Sequence, residues 1–369
     1  MGGLKHKQKL RGRKPQGRSR DARQPDAKRG ARRGGAGAKT PQELFAEAQD
    51  RLELGDVEGA LKLMAAAYKA GPGDLEIADA YGALLAESGG GEAARAVLMK
   101  SVEQSPDDGH EKYMYLGQLS DAGDEAVRFF EKGVAILEAA VASAPQGGSG
   151  DDGAEDVRAA LASALCSLAE QLVANAQDAD EPGLEAAAPR CLELLDRATQ
   201  LHPATPEPLQ ARASIEYELG RTEDALKHLR ESMARWYKPR PGQGAEGGAD
   251  DLADDLAEWD LDPDAMPSYE FRFECAKLLL ELDSETATAI SVLEGLLAEQ
   301  DMDVNVWYLL TLAYYSGGDF PEARECMEHG AKLCAKLGAD EAALEAMWGE
   351  LRSALEEGEK IVAAKMQED

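Results

Sequence analysis

Cysteine is scarce and scattered. Its five copies, Cys166, Cys191, Cys275, Cys326 and Cys334, include no CxxC pair. An odd number at wide spacing argues against a disulfide framework and against a structural zinc site, and fits a reducing compartment. Cys326, His329 and Cys334 could share one helix face, but zinc wants four convergent ligands, so packed thiols beside a solvated imidazole are the better reading. No metal and no cofactor is expected. Aromatic residues make up only 5% of the 369 residues while 44% are hydrophobic, with Ala prominent. That balance suits closely packed helices joined by short turns. No run approaches the ~18 consecutive apolar residues of a membrane helix, and the basic start has no apolar segment behind it. Neither a span nor a secretory signal is expected, and the chain should be soluble and intracellular. HExxH, a P-loop, GxSxG and GxGxxG after a strand are all missing, and the five His lack partners. An enzyme is therefore not expected. The run Gly89–Gly91 reads as a helix-hairpin turn, not as a phosphate cradle.

Positive charge is confined to one end. The first 39 residues hold 14 Lys and Arg against Asp21 and Asp26, a net of +12; the other 330 hold 26 basic and 68 acidic side chains, a net of −42. Leu4 and Leu10 are the only large aliphatics in the basic segment, too little apolar surface to offset chain entropy. Residues 1–39 are expected to be a disordered basic tail. Lys5, Lys7, Lys9, Arg11, Arg13 and Lys14, then Lys28, Arg29, Arg32 and Arg33, have the clustering of a nuclear import signal or of a contact with RNA phosphates. A tail that only keeps the acidic body in solution is the plainer alternative.

What remains is periodic. Trp307, Leu310, Tyr314, Gly318, Ala323, Met327 and Gly330 have the spacing of a two-helix hairpin, and Phe273, Leu280, Ala289 and Leu293 stand 34 residues before Trp307, Tyr314, Ala323 and Met327. Ala60 to Ala94 and Pro72 to Pro106 repeat the interval. A period of 34 with helix spacing inside each unit resembles the tetratricopeptide repeat, or TPR. The fold expected from that resemblance is all-α: a right-handed superhelix of about seven helix pairs over residues 40–338 with a C-terminal capping helix. Thr40 and Pro41, with Glu43 behind them, read as the first helix cap.

Three departures interrupt the array. In the third unit, EKYMYLGQLSDAGDEAVRFFEKGVAIL, the connection is about three residues short. A Gly/Ser/Asp linker follows near 145–153, and the fourth unit has longer helices, roughly Ala154–Gln177 and Leu184–Leu201. The fifth unit, Glu207–Trp236, is regular, and then an acidic insert, 242–266, carries Trp259 and Leu261 among nine acidic residues between Glu246 and Asp264. It reads as an insert that orders on binding or stays disordered. Residues 339–369 hold Leu344, Met347, Trp348, Leu351 and Leu355 at helical spacing, as a cap over the last apolar face requires.

EKYMYLGQL with a shortened third repeat, the acidic Trp-containing insert, and SYEFRFECAKLLLEL leading into VNVWYLLTLAYY together resemble one TPR family. It is the dedicated assembly chaperone family of the fourth large-subunit ribosomal protein, L4. The resemblance covers most of residues 40–335. It implies a holding chaperone of the nucleus and cytoplasm that binds and shields this basic ribosomal protein before its assembly into pre-60S ribosomes. TPR geometry would place first helices along a groove, where Glu53, Glu76, Asp79, Glu87, Tyr217, Glu218, Glu274, Glu281, Tyr308 and Tyr315 would face the client. Carboxylates would steer a basic segment and aromatics would grip it. An adaptor for Hsp70 or Hsp90 would need a Lys and Asn clamp where this chain has Phe45, Gln49, Asp79 and Ala83. The runner-up is a TPR scaffold in ribosomal RNA processing that touches RNA through its tail. The remaining expected partner is a nuclear import receptor, with no membrane contact, and the chain is expected to be a monomer.

Overall fold

A computed structural model describes residues 39–120, 123–143, 152–177, 183–238 and 266–368. The import-signal residues from Lys5 to Arg33, most of the 145–153 linker and the acidic insert up to residue 265 lie outside them. The described residues form fifteen helices and no strand. They divide into two compact units at Ser143.

Unit 1 contains three hairpins: α1 (Pro41–Glu53) with α2 (Val57–Ala70), α3 (Leu75–Glu87) with α4 (Gly91–Gln104), and α5 (His110–Gln118) with α6 (Asp124–Ser143). Unit 2 contains α7 (Asp152–Gln177) with α8 (Gly183–Leu201), α9 (Glu207–Glu218) with α10 (Thr222–Met233), α11 (Tyr269–Glu281) with α12 (Thr286–Glu299), and α13 (Val304–Gly317) with α14 (Phe320–Lys336). The last helix, α15 (Glu341–Glu368), packs on α14.

Local chemistry sets where helices begin and turn. Thr40 and Glu43 close a capping box, each side chain bonding the other's backbone N–H at 3.2 and 2.8 Å, with Pro41 in the first turn. The hairpin turns at Gly55, Gly89, Gly220 and Gly318 need φ between +72° and +85°, which only glycine adopts without cost. The turn between α11 and α12 instead places Asp283 and Glu285 at φ of 48° and 53°, and the Arg230 guanidinium of α10 holds the Glu285 carboxylate.

The 34-residue period is the packing period. Ala60, Ala94, Ala126, Cys191, Ala225, Ala289 and Ala323 occupy one slot of successive second helices, and every one is fully buried. Four residues on, Met64, Leu98, Phe130, Leu195, Leu229, Leu293 and Met327 fill the space between the paired helices. Cys191 thus stands where the other hairpins have Ala. In the third hairpin Gly117 and Ala126 are nine residues apart, where Gly82 and Ala94 are twelve apart. The structure absorbs the deficit by ending α5 after nine residues.

By length and composition, residues 153–177 could cross a membrane, because Ala and Ser lengthen the apolar stretch without forming an unbroken run of large residues. Leu161, Leu165, Leu168 and Ala169 are instead buried where α7 packs on α8 and α9.

The insert interrupts the chain but not the stack of unit 2. The Gln210 amide of α9 donates to the Phe271 carbonyl at 2.9 Å, and the Trp236 ring meets Phe271 edge-on at 6.1 Å. Arg272 donates to the Pro267 carbonyl at 3.1 Å and forks onto Glu299, one arm at 2.8 Å. Helix α11 therefore resumes directly against α9.

Candidate functional site

First helices of successive hairpins touch one another directly, α3 with α5 in unit 1, and α7 with α9, α9 with α11 and α11 with α13 in unit 2. Within each unit they form one side, and the groove candidates are best judged by what each side chain does there.

In unit 1, Glu53 ends α1, Glu76 opens α3 and Glu87 ends α3, all exposed. Glu87 accepts a hydrogen bond from the Tyr115 hydroxyl of α5 at 2.6 Å. Burial pushes the Tyr115 phenol up, and the Glu87 carboxylate adds to the shift. Asp79 differs from expectation. Half-buried, it faces Ser101, Gly109 and the ammonium of Lys112, which is itself 2% exposed and donates to the Ser105 carbonyl at 2.7 Å. Its carboxylate belongs to a polar cluster joining the second and third hairpins, since a buried lysine requires hydrogen-bonding partners.

In unit 2, three groove candidates come together. Lys277 lies 3.5 Å from Glu274 and 4.0 Å from Glu281. Glu218 of α9 is close enough to raise the Glu281 pKa, a smaller effect than burial. The Gln177 amide at the end of α7 donates to Glu218. Contact thus runs from α7 across α9 to α11.

The three tyrosines serve packing. Tyr217 lies against the core shared by α9 to α13. Tyr308 meets Trp348 of α15 at 5.4 Å, and Tyr315 meets Phe320 at 5.7 Å, both edge-on within the cluster that α15 completes. The capping helix that the sequence pattern predicts is what engages Tyr308, because Trp348 needs an apolar partner for its fully buried ring.

Two functional candidates escaped sequence reasoning. Glu170 of α7 is exposed, and the Glu207 charge of α9 is near enough to act on it. The signal was a helical one: Glu170 is seven residues before Gln177 and so shares its face. Tyr115 was legible in EKYMYLGQL, but its partner Glu87 lies 28 residues away.

Cys326 and Cys334 are buried, and the exposed His329 ring lies 5.2 Å from Trp307. Among the described residues no three His, Cys, Asp or Glu converge as metal ligands would. What the unit 2 face can do chemically is attract and hold cations: Glu274 and Glu281 share Lys277, with the Glu218 charge close by.

The paired helices and their 34-residue packing period are those of the tetratricopeptide-repeat fold. No family model matches the chain. It is similar to a protein of Emericella nidulans described as "Probable assembly chaperone of rpl4", 26% identical over 284 residues, covering 73% of this chain and 63% of that protein. A Schizosaccharomyces pombe protein of the same description is 27% identical over 302 residues, covering 79% and 77%. The solved structure of an assembly chaperone of RpL4 (Acl4), residues 1–338, matches at a TM-score of 0.60 with 28% identity, covering 78% of this chain and all of that one. The chain is thus similar in sequence to these proteins and shares the fold of the solved one; it spans a little under two thirds of the length of the Emericella protein.

Proposed function

We propose that this protein is a non-enzymatic holding chaperone for ribosomal protein L4, which it binds and shields before the client joins the large ribosomal subunit. The observation that carries the reading is the convergence of Glu218, Glu274 and Glu281 from two adjacent first helices on one face with one lysine among them. A ribosomal protein is basic because it must bind RNA. Before assembly the same charge attracts any polyanion, and an acidic face prevents that by occupying it. RNA would then displace the chaperone by offering a denser row of anions. The relatives' names point to the same client.

The protein acts as a monomer in nucleus and cytoplasm, with residues 1–39 as the import signal read by an import receptor. The test uses nuclease-treated, purified full-length protein and ribosomal protein L4. A 1:1 complex in light scattering that weakens steeply with salt, and in which L4 stays soluble, supports the reading. If L4 is not bound, and the protein is recovered from cells only with pre-ribosomal particles that nuclease releases, the scaffold in ribosomal RNA processing takes its place.

A further inference from the structure

Helix α1 opens the stack of unit 1, and among the described residues no hairpin precedes it. Where a hairpin does precede, the third, seventh and tenth residues of a first helix pack toward it. In α3 these are Ile77 and Leu84, both buried, and Tyr81, whose ring lies 5.6 Å from that of Tyr68 of α2. In α13 they are Val306, Leu310 and Ala313, all buried in a core shared with α12. In α1 the same slots hold Glu43, Glu47 and Asp50, and Leu54, next on that face, is 82% exposed.

A polar outer face is what the end of a solenoid needs in order to stay in solution. Lys39 shows that this one also receives chain. Its ammonium is seated on Glu47, two turns into the helix, although Lys39 itself stands before the Thr40 cap. A side chain that runs from this position along the first turns fixes the angle at which the chain enters the helix. The segment before Lys39 therefore arrives beside the open face of α1. Glu43 is already engaged in the capping box and Arg51 by Asp56, while among the described residues no cation pairs with Asp50.

Length and charge fit the same occupant. From Arg33 to Lys39 is about 20 Å at ~3.3 Å per extended residue, and thirteen helical residues also span about 20 Å. Residues 34–38 are all Gly and Ala. Residues 1–38 carry 13 basic and two acidic side chains, and residues 39–143 carry nine and 20, so a net of +11 is joined to a net of −11. We propose that the segment before Lys39 docks on this face of α1: residues 34–38 cross the helix, Arg33 settles on Asp50, and the aliphatic stems of Arg32 and Arg33 cover Leu54. The basic cluster from Lys28 to Arg33 is then held by the chain's own body, and a receptor or an RNA reads it only by displacing it. This contact goes beyond the holding function and stands whichever client the protein carries.

Carbodiimide coupling of full-length Arg33→Lys protein at high dilution, read by mass spectrometry, tests the contact, because the reagent joins only an amine and a carboxylate that touch. The Lys62 and Glu58 pair, 2.6 Å apart, reports that the reagent has acted. A link from position 33 to Asp50 within one molecule is expected, falling about fivefold relative to that pair in Glu47→Lys and in raised salt, with circular dichroism unchanged. Links scattered over the carboxylates of both units, or none from position 33 while Lys62 and Glu58 are joined, overturn the inference. Links found only between molecules give the face to a second copy and overturn it as well. A link to Asp50 indifferent to Glu47→Lys does the same, since Lys39 would then not guide the segment. None of these outcomes bears on the capture of L4.

Discussion

Gly330 of α14 lies against the indole of Trp348 of α15: a methyl group built on Gly330 would stand 2.5 Å from Cη2 of that ring. Small residues recur at this slot in most second helices, as Ser101, Gly133, Ala198 and Ser232, because another helix crosses there. At Gly330 the crossing partner is the last helix.

Replacing Trp348 with Ala should therefore expose the end of unit 2 at a cost of about 3–5 kcal/mol, and Gly330→Ala should cost about 1–3 kcal/mol by overpacking. Trp348→Phe should cost less than the Ala change, since the buried indole N–H has no partner to lose. Hydrogen exchange of α14 and α15 is the proper readout, because a protein of two units need not unfold in one step.

Charge reversal separates the groove face from the interior. Glu274→Lys with Glu281→Lys should weaken L4 capture at least tenfold at low salt, less at high salt, with helicity unchanged in circular dichroism. Asp79→Asn should leave capture nearly unchanged, since its carboxylate faces Ser101, Gly109 and Lys112, and should not lower stability at neutral pH, since burial already holds its carboxyl above the usual range. Equal effects on capture would return Asp79 to the binding face.

Three phenols face carboxylates: Tyr115 with Glu87, Tyr269 with Asp303 and Tyr314 with Glu294. Burial, then the neighbouring carboxylate, raises each above the ordinary 10.0. In the unfolded chain these groups lose protons first, so their contribution to stability is complete below pH 10 and falls as pH rises above it. The Tyr113 phenol, buried and bonded to the Pro106 carbonyl, is raised as well, so ultraviolet titration should find four of the ten tyrosines silent until alkaline unfolding, and Tyr115→Phe should reduce that number to three.

Arg272 is buried while its partner Glu299 is half exposed. Glu299→Ala should destabilise unit 2 more than Arg272→Met, because the first leaves a buried guanidinium without its carboxylate and the second removes the charge. About 2–3 kcal/mol is expected for Glu299→Ala, read as faster exchange at the start of α11. A larger loss from Arg272→Met would mean that the bond to Pro267 matters more than the ion pair.

Much of the fold was legible because repetition makes it so. The slot at Ala60, Ala94, Ala225, Ala289 and Ala323 is small wherever two helix axes approach, and chain position alone reveals that rule. Thr40, Pro41 and Glu43 announced the first helix by local hydrogen bonding. The family resemblance rested on local stretches such as EKYMYLGQL, and the relatives bear it out. Cys191, with Leu195 and Ala198 after it, was legible in the usual second-helix slots even though the fourth hairpin is longer.

The binding face divides in the same way. That the body carries an excess of acid able to receive a basic partner is a matter of composition, and the sequence by itself determined it. Which carboxylates face one another was decided by tertiary structure. Gln177 and Glu218 are 41 residues apart and bond only because α7 and α9 pack side by side, while Asp79 turns toward Lys112 and Tyr308 toward Trp348. Helix periodicity assigns a residue to a face of its own helix; whether solvent, a partner or another helix covers that face depends on contacts between distant segments, and only the folded chain contains those.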